Sequence, residues 1–285
     1  MSTILFWSPI KGASGSSSLA AATAITLGNL YRGRLLLTHL GRRHTGIESG
    51  FPIQEYGMDD PSLQIHEGGW DAVSRLILRG TLSRENIRNY TTPVLEHTLD
   101  VLEGTSGFGA TSPLLSPDLV RRVIDTANQY YDLTLIDAGS GVGWGAVQHE
   151  ACAQAKLAVL SLTQNMRELD AYFESVSPLS TYSSLPLLIV LGKYDVHSQA
   201  NEANIRRRYG YKGTLHTVPY STEFMDAWNR RDVIGHVQRE VRSGKAQQRK
   251  LFISVGWAQS VQQISKAILE AAESDLRLKA LERGA

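Results

Sequence analysis

The chain has 285 residues, of which 42% are hydrophobic, so it is long enough for one large α/β domain with a substantial core. Its 29 Lys and Arg against 28 Asp and Glu give a formal net charge of +1, which excludes a global attraction to nucleic acid or membranes. The single cysteine, Cys152, excludes an intrachain disulfide framework and a cysteine zinc cluster. Residues 1–7 carry no basic region, and no apolar run approaches the ~20 residues of a membrane helix. We therefore expect a cytoplasmic protein.

Short apolar runs alternate with stretches of helical spacing along the chain. The apolar runs predict strands at 3–7, 34–38, 99–102, 133–137, 157–162, 186–191 and 214–218. Helical spacing predicts helices at 17–30, 117–130, 167–177, 199–208 and 257–282. Residues 41–69 are rich in glycine and proline and are expected to form an irregular insertion. Most strands are continuously apolar, which is typical of parallel strands buried on both faces. The pattern predicts an α/β fold, with a mostly parallel sheet between two layers of helices in a single domain over 1–285.

A stretch rich in glycine and serine, SPIKGASGSSSLAAA at 8–22, joins the first predicted strand to the first predicted helix. The backbone N–H groups of such a turn, together with a helix N-terminus, can bind an anion. An ordinary strand-to-helix turn also favours Gly and Ser, so this stretch alone leaves both interpretations open. The strand YYDLTLIDAGSG at 130–141 favours a phosphate site, because Asp137 stands where such a site places a magnesium ligand.

The order of these pieces resembles that of the MinD/ParA family of P-loop ATPases, whose deviant Walker A loop has the pattern K-G-G-x-G-K-[ST]. The matching residues here are KGASGSSS, residues 11–18. The resemblance continues through RGRLLLTHLG, YDLTLIDAGSG, LAVLSLTQNMRELDAY, LLIVLGKYD and GTLHTVPYSTEFMDAWNRRDVI. It implies the Rossmann-like fold of P-loop NTPases.

The resemblance also implies roles for residues at matching positions. Lys11 matches the signature lysine that reaches into the partner's site of an ATP-bound dimer. Ser17 and Asp137 match the hydroxyl and carboxylate that hold magnesium, and Lys193 and Pro219 lie in segments that contact the base. The implied nucleotide-binding residues are Lys11, Gly12, Ala13, Ser14, Gly15, Ser16, Ser17, Ser18, Asp137, Lys193 and Pro219.

Several positions depart from the family pattern. Ser16 replaces the lysine inside the loop, whose charge-assisted hydrogen bonds are worth roughly 1.5–3 kcal/mol each. His39-Leu40-Gly41 replaces two aspartates at the end of the second strand, the first of which helps to position the attacking water. Ala13 replaces a glycine, and Leu191-Gly192-Lys193 stands where an asparagine is expected. A histidine at 39 is able in principle to act as a base, but a structural role is favoured.

Because phosphoryl transfer depends on positioning and charge, these losses predict a pseudo-ATPase that binds ATP or ADP with magnesium weakly, or binds no nucleotide. The alternative is a slow ATP hydrolase, in which Lys11 and a rearranged set of residues around the phosphates compensate for the lost lysine and aspartates. The family resemblance implies a homodimer through the P-loop face and a positioning or assembly role with an unknown protein partner.

Residues 99–139 are most similar to the TadZ/CpaE pilus-localisation branch, which implies a pilus or secretion machine and recruitment to the inner membrane face by a partner. Basic residues at 42–43, 206–208 and 245–250 offer a second alternative, a DNA-partition factor. The near-zero net charge favours the interpretation of these basic residues as a solvated helix face rather than a DNA-binding surface. Acidic residues interrupt the apolar face of the C-terminal helix, which favours docking on the body or a partner over direct membrane binding.

Overall fold

The computed structural model describes residues 2–12, 14–43, 45–52, 68–106, 115–141, 143–174, 184–247 and 256–284. These residues build an eight-stranded sheet of order β3-β4-β2-β5-β1-β6-β7-β8. The strands are β1 Thr3–Ser8, β2 Leu35–His39, β3 Thr92–Leu95, β4 Leu99–Leu102, β5 Leu133–Ser140, β6 Leu157–Leu162, β7 Leu187–Tyr194 and β8 Leu215–Pro219. Neighbouring strands are parallel except at the edge, where β3 and β4 form an antiparallel hairpin.

Helices cover both faces of the sheet. They are α1 Ser16–Leu30, α2 Gly69–Leu78, α3 Pro117–Tyr130, α4 Ala146–Ala153, α5 Met166–Glu174, α6 Glu202–Tyr209, α7 Thr222–Asn229, α8 Val233–Gln247 and α9 Trp257–Gly284. Short 3₁₀ helices span Ile47–Gly50 and Ile87–Tyr90. In the part of the chain described above, no helix is both long and apolar enough to cross a membrane.

The sheet separates two hydrophobic cores, and the side-chain alternation of β1 shows how one strand serves both. Ile4 and Phe6 enter the core beneath α1, α8 and α9, whereas Leu5 and Trp7 enter the core beneath α2, α3 and α4. Every residue of β1 is buried. A strand covered on both faces needs apolar residues at successive positions, which explains its continuous apolar run.

The predicted α/β fold, with its mostly parallel sheet and helices on both faces, is confirmed. Each strand that the sequence predicts is present and begins within about one residue of its expected start. Helix α5 begins one residue earlier than predicted and is described as far as Glu174, so residues 175–177 of that prediction lie outside the described residues. The prediction of helix at 199–201 is wrong, because Asn201 is the N-cap of α6 and its side chain accepts from the Asn204 N–H.

Sequence patterns missed β3, α2, α4, α7 and α8. Strand β3 contains Pro93 and lies at the sheet edge, where a proline is tolerated but weakens a strand pattern. Helices α4 and α7 have eight residues each, too few for a strong helical period. The 41–69 insertion is not wholly irregular, since it contains the 3₁₀ helix Ile47–Gly50, while residues 53–67 lie outside the described residues.

The apolar face of the C-terminal helix α9 packs on the body of the domain. Val261, Ile264, Ile268 and Ala272 are buried in the core shared with α1 and β8. This is the docking expected from its interrupted amphipathic pattern, and it places Trp257 at the carboxyl edge of the sheet near β8.

Candidate functional site at the β1–α1 loop

The loop between β1 and α1 exposes backbone donors at the carboxyl edge of the sheet. Gly12 and Gly15 have φ angles of 72° and 73°, in the left-handed region that favours glycine. Gly15 is the N-cap of α1, so no side chain caps the helix, and the first turn carries no acidic residue. The N–H groups of a first helical turn have no intrahelical acceptor and attract anions. The loop therefore has the backbone arrangement of an anion site; Ala13, one of its expected members, lies outside the described residues.

Ser16 occupies the position at which the family pattern has its lysine. Its side chain is buried, with the residue only 6% exposed, and its Oγ finds no hydrogen-bond partner among the residues that the structure describes. An unsatisfied buried hydroxyl costs about 1–3 kcal/mol. A ligand oxygen or donor beside this loop would recover that cost, but a hydroxyl supplies no positive charge.

Ser17 and Asp137 come together as the family pattern implies. The Ser17 hydroxyl hydrogen bonds to the Asp137 carboxylate, and the Gly139 N–H donates to Asp137 Oδ1 at 3.0 Å. Asp137 is 3% exposed, and burial raises the pKa of its carboxyl, although the hydrogen bonds from Ser17 and Gly139 oppose this rise. A buried carboxylate that is held at such a cost is a fitting ligand for a divalent cation.

The Ser17 hydroxyl and the Asp137 carboxylate suit a magnesium ion only when a bound nucleotide supplies further oxygen ligands. Among the described residues, no group of three or more His, Cys, Asp and Glu side chains is arranged to hold a metal by itself. Magnesium is usually bound through one or two carboxylates together with substrate phosphates and waters. Ser17 and Asp137 thus fit a magnesium ion that arrives with a nucleotide.

Lys11 lies exposed at the rim of the loop. Its Cε is 3.9 Å from the position that a Cβ would take on Gly141, so the side chain crosses toward the loop that follows β5. The Gly141 N–H donates to the Ser8 carbonyl at 2.9 Å, which fixes the two loops to each other. The ammonium group of Lys11, at the position of the family's signature lysine, therefore lies at the mouth of the site.

His39 is packed in a structural position. Its Nδ1 accepts the Gly41 N–H at 3.2 Å, so its Nε2 carries the proton that is donated to Glu48 Oε1, 2.6 Å away. A Cβ on Gly46 or Gly104 would lie 2.4 Å or 2.6 Å from the imidazole Cε1, so these glycines make room for the ring. Both ring nitrogens are engaged, which supports a structural role over that of a base.

Glu48, in the 3₁₀ helix Ile47–Gly50, is a buried carboxylate that sequence patterns did not reveal. Although its burial alone would raise the pKa, hydrogen bonds from His39 and the Gly104 N–H lower it overall, so the group is ionised at neutral pH. Its Oε2 has no hydrogen-bond partner within the described part of the chain. Two residues further on, Gly50 lies against the Trp228 ring, whose Nε1 donates to Ser49 Oγ at 3.0 Å.

A narrow groove with an enclosed volume of ≈ 60 Å³ extends from the loop to β7 and β8. Its lining comprises Ser14, Gly15 and Ser18 of the loop and α1, Lys193 and Pro219 of the strand ends, and the rings of Phe224 and Trp257. The structure thus brings the predicted base-contacting positions next to the loop. Small-molecule sites typically measure about 300–1,000 Å³, so a nucleotide base would have to widen this groove.

The loop approaches β7 closely at Gly192. A Cβ there would lie 2.0 Å from the Ser14 carbonyl oxygen, and the following residue, Lys193, has a left-handed φ of 51°. This contact requires glycine at position 192. Phe224 was not singled out by the sequence as a groove residue, because it comes from α7, which is far from the β1–α1 loop in the chain.

No protein-family model and no curated protein matches the sequence. Solved structures do match. A ParA family ATPase from Chlorobium tepidum superposes with a TM-score of 0.65 at 16% identity, covering 95% of this chain and 98% of that one. The MinC:MinD cell division complex from Aquifex aeolicus gives 0.66 at 13% identity, covering 95% and 96%. MinD from Pyrococcus horikoshii, complexed with Mg-ADP, gives 0.65 at 15%, covering 95% and 99%.

The sheet order and the glycine loop before α1 define an α/β fold of the P-loop NTPase class. Within that class, the chain has the MinD/ParA fold along nearly its whole length.

Proposed function

We propose that this protein is a MinD/ParA-type positioning or assembly factor that binds a magnesium nucleotide weakly and hydrolyses it slowly or not at all. The observation that carries the proposal is the Ser17–Asp137 pair beside the N-terminus of α1, with Ser16 in place of the lysine.

Nucleotide binding is supported by the groups that remain. The first-turn N–H groups of α1 and the Lys11 ammonium supply positive potential for phosphates. Ser17 Oγ and the Asp137 carboxylate would hold magnesium, which when bound neutralises phosphate charge. The fold neighbour from Pyrococcus horikoshii was solved with Mg-ADP.

Weak binding and poor hydrolysis follow from what is missing. The lost charge-assisted hydrogen bond of the loop lysine, roughly 1.5–3 kcal/mol, corresponds to about 10- to 150-fold in affinity. A single stabilising cation is worth ~10³–10⁵ in the rate of phosphoryl transfer. His39, at the position of the water-positioning carboxylate, directs its Nε2 to Glu48 and its Nδ1 to Gly41. With both ring nitrogens engaged, the imidazole is not free to activate a water molecule.

The proposed role is binding to other proteins. A homodimer through the loop face would bring the exposed Lys11 to the partner's site, and the TadZ/CpaE resemblance points to a pilus or secretion machine as the assembly. DNA binding is not favoured, because the arginines of α6 are engaged. Arg206 pairs with Glu202 at 3.0 Å, and Arg208 pairs with Asp170 at 3.1 Å.

Calorimetry with ATP and with ADP in magnesium tests the proposal, together with a phosphate-release assay. We expect binding that falls at least about tenfold in Ser17→Ala and is unchanged in Ser184→Ala, which alters an exposed serine before β7. We expect turnover well below about one per minute, against a typical enzyme median of ~10 s⁻¹. Faster turnover that disappears in Asp137→Asn would establish the slow ATPase instead, and absence of nucleotide binding would refute the proposed site.

Molecular mass with and without ATP tests the dimer. A mass that doubles only with ATP and returns to that of the monomer in Lys11→Ala supports the loop-face interface. A mass that ATP leaves unchanged contradicts a nucleotide-controlled dimer.

A further inference from the structure

A separate cavity opens at the amino-terminal edge of the sheet, the edge opposite the β1–α1 loop. It lies between the start of β2, the β3–β4 hairpin and the end of α3, and its volume is ≈ 220 Å³. Its polar lining includes Arg34, Arg88, His97, Thr98 and Asp100. Two arginines against one aspartate give this lining a positive balance, which attracts anions.

The Arg34 guanidinium is held in place by an aromatic ring. Its guanidinium Cζ lies 4.2 Å from the centre of the Tyr130 ring, a cation–π distance, and its backbone N–H donates to Asp132 Oδ2 at 2.7 Å. Within the ranges that the structure describes, the Arg34 side chain forms no ion pair. A planar guanidinium fixed on an aromatic face keeps its N–H edge available for bidentate contact with an anion.

The single carboxylate of the lining is already compensated. Asp100 is buried, and its Oδ2 accepts the Tyr131 phenol at 2.7 Å and lies 3.7 Å from Arg88 Nε. Burial and the Asp100 charge raise the pKa of Tyr131, so the phenol stays a donor to this carboxylate at neutral pH. Asp100 therefore repels an incoming anion less than an unpartnered carboxylate would.

His97, in the hairpin turn, lines the mouth of the cavity. His97 has a φ of 63°, an uncommon left-handed conformation for a residue other than glycine, and its exposed ring lies 3.2 Å from the Glu96 carboxylate. The floor beneath it is rigid, because the Leu35 N–H donates to the Thr98 carbonyl at 2.8 Å.

We propose that this cavity binds a compact phosphoryl dianion, with Arg34 and Arg88 as the principal contacts. The volume of ≈ 220 Å³ lies below the about 300–1,000 Å³ typical of sites for larger ligands, so inorganic phosphate or a small phosphorylated metabolite fits better than a nucleotide. The site is independent of the β1–α1 loop and of the function proposed for it.

Calorimetric titration of the full chain with inorganic phosphate and, separately, with glycerol phosphate tests the proposal and distinguishes the two sources. We expect Arg34→Gln to weaken binding by at least about tenfold, because it removes a charge-assisted pair. Arg84→Gln, at an exposed arginine that does not line the cavity, should bind like the wild type. Ser17→Ala should also bind like the wild type, which separates this cavity from the loop.

Thermal melting of each variant verifies folding. If Arg34→Gln does not fold, Arg88→Gln serves in its place, since Arg88 is a half-exposed side chain. The proposal is overturned if the wild type binds neither ligand at millimolar concentration or if the cavity variant binds as tightly as the wild type. It is also overturned if Ser17→Ala removes the binding, because the phosphate would then occupy the loop.

Discussion

Replacing Asp137 with asparagine should stabilise the free protein while removing the magnesium ligand of the proposed nucleotide site. The carboxyl group is 3% exposed, and burial raises its pKa above the unfolded value of 3.8. For an acid whose folded pKa is raised, the unfolded state ionises first, so the folded state loses stability as pH rises from the unfolded pKa of 3.8 to the higher, folded pKa. At neutral pH the buried Asp137 is therefore a destabilising group.

Asparagine keeps the shape and the hydrogen bonds. Its Oδ1 can accept the Gly139 N–H as Asp137 does, and its amide can donate to Ser17 Oγ, which then accepts. The variant loses two charge-assisted hydrogen bonds but avoids burying a charge, and burial is the larger influence on the pKa of Asp137. We expect the free energy of unfolding to rise by about 1 kcal/mol. This lies within the ~1–3 kcal/mol that an imperfectly satisfied buried polar group costs. For a chain of this size, that gain raises Tm by about 2 °C.

The assay is thermal unfolding of wild type and Asp137→Asn at pH 7 and pH 5, with and without magnesium ADP. The Tm advantage of the variant should shrink as pH falls toward the unfolded pKa of 3.8, because below it the folded and unfolded wild-type carboxyls are both protonated. A ligand at 100 times its Kd stabilises a protein by ~2.7 kcal/mol, and the variant should lose this gain. Asp118→Asn, at an exposed carboxylate of α3 that pairs with Arg121, is the matched control and should not raise Tm. A ligand-free variant that melts below the wild type would refute the reasoning.

The remaining predictions concern the loop and the acid stability of the fold. Gly192→Ala places a Cβ 2.0 Å from the Ser14 carbonyl oxygen, so we expect a loss of about 1–3 kcal/mol in urea unfolding and weaker nucleotide binding; unchanged stability would contradict the close approach. Ser16→Lys should raise ATP affinity by about 10- to 150-fold in calorimetry, and an unchanged Kd would mean that the missing lysine is not what weakens the site. Asp71 is buried, yet hydrogen bonds from neighbouring hydroxyl and amide groups lower its pKa overall, so it stabilises the fold above its unfolded pKa of 3.8. That contribution is lost as pH falls through the lower, folded value; Asp71→Asn should flatten the acid limb of a stability–pH curve between pH 5 and pH 2, and an unchanged limb would contradict the assignment.

The parallel strands were predictable because burial on both faces leaves a run of apolar residues that few other structures produce. Strand β1 is the clearest case, since consecutive residues enter opposite cores. Edge strand β3 gave no such pattern, because its residues are only partly buried and one of them is Pro93. Short helices such as α7 bury too few residues to show a period over their eight positions.

For the candidate site, the sequence pattern placed Ser17 and Asp137 in neighbouring elements, and the structure shows them hydrogen bonded. That pairing follows from strand order, since β1 and β5 are adjacent and parallel and end at the same edge. Glu48 could not be found in this way, because its partner His39 is nine residues away across an irregular segment. Nothing in that segment's composition indicates that its carboxylate turns inward.

The 3₁₀ helix Ile47–Gly50 links three elements at the carboxyl edge of the sheet. One of its residues, Glu48, is tied to β2 through His39 and to the loop after β4 through the Gly104 N–H. The next, Ser49, is tied to α7 through the Trp228 indole. A shift of this one turn must therefore move β2, the loop after β4 and α7 together, and α7 carries Phe224 into the groove. The carboxyl end of β2 and the wall of the groove formed by α7 are thus coupled by a single short segment.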